Sequence, residues 1–177
     1  EIGSGLVGSE MCIRDRLDYK DYYFVDYTDT DICYKYLDDY FIQLEKLVEW
    51  GNFDSLAHVP YPLRYMMQRD GMDVDMARYQ SSIDSMLRTL IRRGQAIEIN
   101  AGKKPYIMPE YAYLLDRYRA LGGRLITVGT DAHSIPQFGM GLKEAYMLAL
   151  EKGFESVAVF KRRKCELVSI RKLLALE

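Results

Sequence analysis

Short apolar strands alternate with amphipathic helices along most of this chain, and that order leaves few folds open. Ile32, Tyr36, Leu37, Tyr40, Phe41, Leu44, Leu47 and Val48 recur at helical spacing behind the N-cap cluster Thr28-Asp29-Thr30-Asp31. Gly51 closes that helix. A short strand comes next, Asp54-Ser55-Leu56-Ala57-His58, then a turn forced by Pro60 and Pro62, and a short helix with Pro62 in its first turn. Asp73 or Asp75 caps a longer helix with the stripe Tyr79, Ile83, Met86, Leu87, Leu90 and Ile91, which stops at Arg92-Arg93-Gly94. The strand Ala96-Ile97-Glu98-Ile99-Asn100 alternates, so Glu98 and Asn100 share one face. A loop over 103–109, a helix opened by Pro109 and closed by Gly122-Gly123, and the strand from Leu125 come after it. A helix over about 141–152 and strands at 156–160 and 166–170 complete the chain. Such alternation predicts an α/β fold with a parallel sheet and right-handed crossovers. Four or five strand-helix units are too few to close an eight-stranded barrel. The expected architecture is therefore the C-terminal portion of a β/α barrel.

Size and composition narrow the function classes. At 177 residues the chain suits one well-buried domain. No apolar stretch approaches the roughly 20 residues that a membrane-spanning helix needs. A net charge of −2 leaves no electrostatic footprint for nucleic acid, and Lys161-Arg162-Arg163-Lys164 is too short to supply one. That basic run is expected as a solvated loop, with a second reading in which one arginine reaches an anion. Cys12, Cys33 and Cys165 are odd in number and scattered, which suits reduced thiols in the cytoplasm. Fifteen tyrosines and nine methionines are read as packing.

Residues 1–16 stand apart. They begin without methionine, carry three glycines and hold no period that continues past Arg16. The run Gly5-Leu6-Val7-Gly8-Ser9-Glu10-Met11-Cys12-Ile13-Arg14-Asp15 resembles a translated sequencing adaptor. These residues are expected to be a non-native or disordered leader, with the fold beginning at Leu17.

Both histidines of the chain fall at strand ends. His58 ends one strand, and His133 comes after Gly129-Thr130-Asp131-Ala132 at the end of another. Strand ends of this kind are where α/β proteins place their chemistry. Asp131 and His133 pair a hard oxygen with an imidazole, which suits a divalent metal, although Asp131 alone also suits a turn or helix cap. His58 is open to two readings, a ligand or a hydrogen-bonded structural histidine. Glu98 reads more simply as a rim carboxylate paired with Arg92 or Arg93. Arg64 stands six positions after His58, where it is either a surface residue or a bidentate grip on phosphate. No Gly-x-Ser-x-Gly elbow or phosphate-binding glycine loop is present. Metal-activated water fits these residue types better than a covalent nucleophile.

Taken together, Asp21-Tyr22-Tyr23-Phe24-Val25-Asp26-Tyr27, Phe53-Asp54-Ser55-Leu56-Ala57-His58 with Tyr61-Pro62-Leu63-Arg64-Tyr65-Met66, Ile97-Glu98-Ile99-Asn100, Gly122-Gly123, Gly129-Thr130-Asp131-Ala132-His133 and Gly153-Phe154 resemble the polymerase-and-histidinol-phosphatase (PHP) superfamily in its histidinol-phosphatase branch. The resemblance implies a distorted seven-stranded β/α barrel, two or three divalent ions (Zn, Mn or Fe) and hydrolysis of a small phosphomonoester, L-histidinol phosphate, in histidine biosynthesis. By position, His58 matches the metal-binding histidine of the family's third motif. Asp131 and His133 match the Asp-x-His of its fourth, and Arg64 a phosphate contact. The chain departs from the family in lacking the opening His-x-His and the further His, Glu and His that precede the region beginning here at Leu17. Thr130 stands where serine is usual, and the loop 101–109 is short. The expectation is an N-terminally truncated domain that binds metal weakly and turns over little or no substrate. The competing readings are another PHP phosphoesterase and a non-catalytic scaffold remnant.

Overall fold

A computed structural model describes residues 21–101 and 109–175. The expected leader over 1–16, Cys12 and most of the 101–109 loop lie outside the described residues. The chain divides into two units, Glu1–Phe53 with Val59–Met86, and Asp54–His58 with Leu87–Glu177.

The first unit is built on helix α1, Thr30–Trp50. Asp29 caps it by accepting the Ile32 N–H at 2.9 Å, and Gly51 ends it in the left-handed region at φ 64°. Its buried face carries Cys33, Leu37, Tyr40, Phe41, Leu44 and Val48. Tyrosines pack against that face edge-on, with Tyr22 and Tyr40 ring centroids 5.5 Å apart, while Tyr79 stacks on Phe41 at 4.4 Å. The expected tyrosine packing is therefore real in this unit. The helix expected from Pro62 begins instead at Arg64 and runs to Arg69 as a π-helix, closed by the Asp70 N–H on the Tyr65 carbonyl at 3.0 Å. The helix expected to start at Asp73 or Asp75 opens with a 3₁₀ turn, Met76–Tyr79, capped by Asp75, before α2, Gln80–Arg93. The division between the units falls inside α2, after Met86.

The second unit contains the expected parallel sheet in part. Strands β1 (Ser55–Leu56), β2 (Ala96–Asn100) and β3 (Ile126–Gly129) pair in parallel in the order β1-β2-β3. Leu56, Ile97, Ile99 and Ile126 form a fully buried apolar face. The opposite face carries Ser55, Ala96, Glu98, Asn100 and Thr127, and there Ser55 Oγ meets Thr127 Oγ1 at 2.7 Å. These two hydroxyls belong to strands about 9.5 Å apart in a flat sheet. The sheet is therefore curled toward this face. Helices α3 (Pro109–Ala120) and α4 (Leu142–Glu151) fall where the sequence places them. Tyr118 of α3 is buried, donates to the Gln95 carbonyl at 3.2 Å and stacks on Phe154. Burial pushes its hydroxyl pKa up to about 12.

Two strand expectations are corrected here. The strand expected to reach His58 stops at Leu56, because His58 adopts φ 56° and leaves extended backbone. The last strands are not part of a parallel series: β4 (Ser156–Lys161) and β5 (Lys164–Ser169) form an antiparallel hairpin. Lys161-Arg162-Arg163-Lys164, expected as a loop, is its two-residue turn and flanking pair, with Arg162 at φ 51° and Arg163 at φ 66°. Arg163 Nε reaches Asp54 Oδ1 at 3.3 Å, so its anion is a carboxylate of the protein. A four-residue helix α5, Ile170–Leu173, ends the described chain. Among the described residues no helix is long and apolar enough to cross a membrane.

Candidate functional site

Three strands of the second unit end on one rim, and each delivers a polar residue there. After β1 the chain turns through His58 at φ 56°, and after β3 it turns through Asp131 at φ 50°. A left-handed conformation at a residue other than glycine costs on the order of 1 kcal/mol or more and persists where surrounding structure imposes it. Between them, β2 ends in Asn100, and the ladder runs one step further as the Ala101 N–H donates to the Gly129 carbonyl at 2.7 Å. Both flanking strands thus leave the sheet through a strained turn beside a central strand that continues straight.

His58 is buried, at 8% exposure, and Asn100 is more so, at 3%. The Asn100 side-chain nitrogen lies 3.4 Å from His58 Nδ1 and 3.3 Å from Nε2. Asp131 and His133 form a second group, with Asp131 Oδ1 and His133 Nε2 3.9 Å apart. His133 is the most open of these side chains, and its backbone N–H donates to Gln137 Oε1 at 2.9 Å at the start of the 3₁₀ turn Ile135–Gln137. Glu98 lies one pleat below the rim on the same face of β2, and its carboxylate occupies the space above Gly129.

The expected trio is brought together in part. Asp131 and His133 meet, and their 3.9 Å separation is close to the roughly 3.4 Å between two ligands of a tetrahedral ion with bonds of about 2.1 Å. Their chemistry and spacing fit two positions on a divalent metal. His58 lies against Asn100 instead, and among the described residues no group of three or more His, Cys, Asp or Glu side chains gathers to hold a metal. Arg64 belongs to the first unit, half-buried at the start of the π-helix. The contact missed from the sequence is Asn100 with His58; its one signal was that Asn100 ends a strand on the polar face.

A curled parallel β/α sheet with histidine and carboxylate at its C-terminal rim defines a class, the β/α proteins whose rim carries metal-type ligands. No family model matches the chain. By sequence it is similar to a probable histidinol-phosphatase of Clostridium acetobutylicum, 33% identical over 111 residues, covering 62% of this chain and 43% of that protein. A probable histidinol-phosphatase of Thermotoga maritima is 32% identical over 124 residues, covering 68% of this chain and 50% of that one. The histidinol-phosphatase of Lactococcus lactis subsp. lactis is 29% identical over 125 residues, covering 70% and 46%. In fold the chain resembles the crystal structure of histidinol phosphate phosphatase from Lactococcus lactis subsp. lactis, complexed with Zn, L-histidinol and phosphate, with a TM-score of 0.61 and 21% identity over 87% of this chain and 56% of that one. The chain spans about half the length of the curated relatives it matches.

Proposed function

We propose that this chain forms part of a cytoplasmic, metal-dependent histidinol-phosphatase of the PHP type, which hydrolyses L-histidinol phosphate to L-histidinol and phosphate. The observation that carries the reading is the Asp131–His133 pair, a carboxylate and an imidazole 3.9 Å apart at the rim of a parallel sheet, in a chain similar in sequence to three histidinol-phosphatases. The curl of the sheet, measured by the Ser55–Thr127 contact, supports its being a section of a distorted seven-stranded barrel.

Asp131 and His133 would hold a divalent ion of the Zn, Mn or Fe kind, and His58 would supply a further imidazole to a site of two or three ions. When bound, such an ion supplies Lewis acidity toward the phosphoryl oxygens and lowers the pKa of water. The chain's own residues orient these donors: the left-handed turns at His58 and Asp131 fix where each side chain leaves the backbone. Gln137 holds the His133 backbone through its N–H. Arg64, in the first unit, carries a guanidinium of the kind that binds phosphate by two parallel N–H donors. In the reaction, water forms the new P–O bond, the bond to the histidinol oxygen breaks, and that oxygen leaves carrying a proton.

The test is phosphate release from L-histidinol phosphate and from a panel of nucleotides and sugar phosphates, with and without Zn²⁺ or Mn²⁺, alongside NMR of the two histidine rings. The expected result is an ion-induced shift of the His133 ring signals, and slow release that requires the ion, favours L-histidinol phosphate and falls at least tenfold in Asp131→Asn. Release without added ion, a preference for nucleotides, or no movement of His133 on adding Zn²⁺ overturns the reading.

A further inference from the structure

We infer that the outer edge of β5 is an interface between two copies of this chain, the two β5 strands running antiparallel about a two-fold axis at Cys165 and joining their hairpins into one four-stranded sheet. Among the described strands β5 pairs with β4 alone, and Lys164, Cys165, Glu166 and Leu167 are all exposed. The two-residue turn makes Lys161 and Lys164 a hydrogen-bonded pair, so by alternation Lys164, Glu166 and Val168 turn their N–H and C=O groups toward β4. Cys165 and Leu167 turn theirs outward, where no backbone hydrogen bond meets them among the described residues. A free edge of this kind is a template for a further strand.

The charge pattern selects both the occupant and the register. About a two-fold axis a strand meets its own sequence reversed, and residues that face each other share a side of the sheet. An axis at Lys164 or at Glu166 sets like charges directly opposite, which opposes pairing. An axis at Leu167 leaves Lys164 opposite Ile170 and Glu166 opposite Val168, with no charge matched. At Cys165 each Lys164 faces Glu166 of the other copy, twice over by symmetry, and the two Cys165 residues exchange a pair of backbone hydrogen bonds. Neither Lys164 nor Glu166 takes part in an ion pair among the described residues, and within its own hairpin Lys164 faces Lys161. A second copy thus supplies the opposite charge that the hairpin withholds. Leu167, 61% exposed, lies diagonal to the other copy's Cys165 on the same face and is partly covered there. The contact is only a few residues long, so the association is weak.

The test is sedimentation from micromolar to millimolar concentration, together with cross-linking by a short bismaleimide and peptide mapping of the product. The chain is expected to dimerise reversibly and to give a product joining Cys165 to Cys165 of a second copy. Lys164→Glu sets glutamate against Glu166 across the axis, and Glu166→Lys sets lysine against Lys164, so each variant alone is expected to associate about fivefold or more weakly. Mixed in equal amounts, with one isotope-labelled, the two are expected to regain association as a heterodimer, because each then meets the opposite charge at both positions. Both side chains are exposed, so the far-ultraviolet circular dichroism of each variant is expected to match that of the unaltered chain. Where a swap disturbs the fold, the Cys165 product of the unaltered chain decides alone. A chain that stays monomeric, a dimer indifferent to both swaps, cross-links at other cysteines only, or a mixture no stronger than its components overturns the inference. None of these signals depends on turnover or on a metal ion, so failure of the phosphatase reading and failure of this inference register separately.

Discussion

Gly129 at the end of β3 and Glu98 on β2 stand so close that a methyl group at position 129 falls on the Glu98 carboxylate oxygen Oε1. The glycine is required for space, since Gly129 is not among the residues with positive φ. Gly129→Ala is therefore expected to push the flexible end of the Glu98 side chain aside and destabilise the second unit by about 1 kcal/mol, the low end of the usual cost of overpacking. Glu98→Ala removes the obstruction. In urea denaturation the double variant Glu98→Ala/Gly129→Ala is expected to lose less than the sum of the two single losses. Additive losses would show that the glycine serves some other need.

The same rim shows what a sequence displays and what it hides. Alternation in Ala96-Ile97-Glu98-Ile99-Asn100 placed the isoleucines on the buried face and Glu98 with Asn100 on the other, because side chains in a strand alternate whatever the neighbours are. The pairing of Asp131 with His133 was legible because two residues on one turn are close by covalent geometry. The left-handed turns at His58 and Asp131 were not, because that conformation is imposed by surrounding structure, and neither residue is glycine. The meeting of Asn100 with His58 spans 42 positions and depends on the parallel register of β1 against β2, which no local pattern encodes. The hairpin hid for the converse reason: Arg162-Arg163 occupies a turn that usually advertises itself by Asn-Gly.

That turn supplies a prediction in which two effects oppose. Arg162 and Arg163 both hold positive φ, at about 1 kcal/mol or more each for side chains that rarely adopt it. Lys161 and Lys164 face each other as a like-charged cross-strand pair, which opposes pairing further. Against this stands the Arg163–Asp54 ion pair at 3.3 Å, partly exposed on both sides and worth a few tenths of a kcal/mol up to about 1. Backbone strain is the larger quantity. Replacing the turn by Arg162→Asn with Arg163→Gly is therefore expected to stabilise the second unit by about 1–2 kcal/mol, read as a rise of several degrees in Tm. A fall in Tm would mean that the tether to Asp54 outweighs the strain.

In the first unit, acid sensitivity is expected to pass through Asp70. Arg69 binds it by two nitrogens, Nε to Oδ1 and Nη2 to Oδ2, each at 2.6 Å, and donates as well to the carbonyls of Tyr23 and Val25. Asp70 Oδ2 also accepts the Tyr27 N–H at 3.1 Å, so the pair pins residues 23–27. The hydrogen bonds from Arg69, and after them that from Tyr27, hold the Asp70 carboxyl below its ordinary range. A carboxyl whose folded pKa lies below its unfolded one contributes stability that is complete above the unfolded value, about 3.9, and that is lost as pH falls through the folded value. Tyr22, Tyr27, Tyr36, Tyr40 and Tyr61 pack together in this unit, so its unfolding is expected to reduce the near-ultraviolet circular dichroism signal of the chain. On acidification below about pH 4, that signal is expected to collapse at lower denaturant than at neutral pH. Asp70→Asn keeps an acceptor for Tyr27 but has no charge to lose. It is expected to be less stable than the unaltered chain at pH 7 and to narrow that difference as the pH falls toward 3. An unchanged gap between the two chains across that window would place the acid-sensitive contact elsewhere.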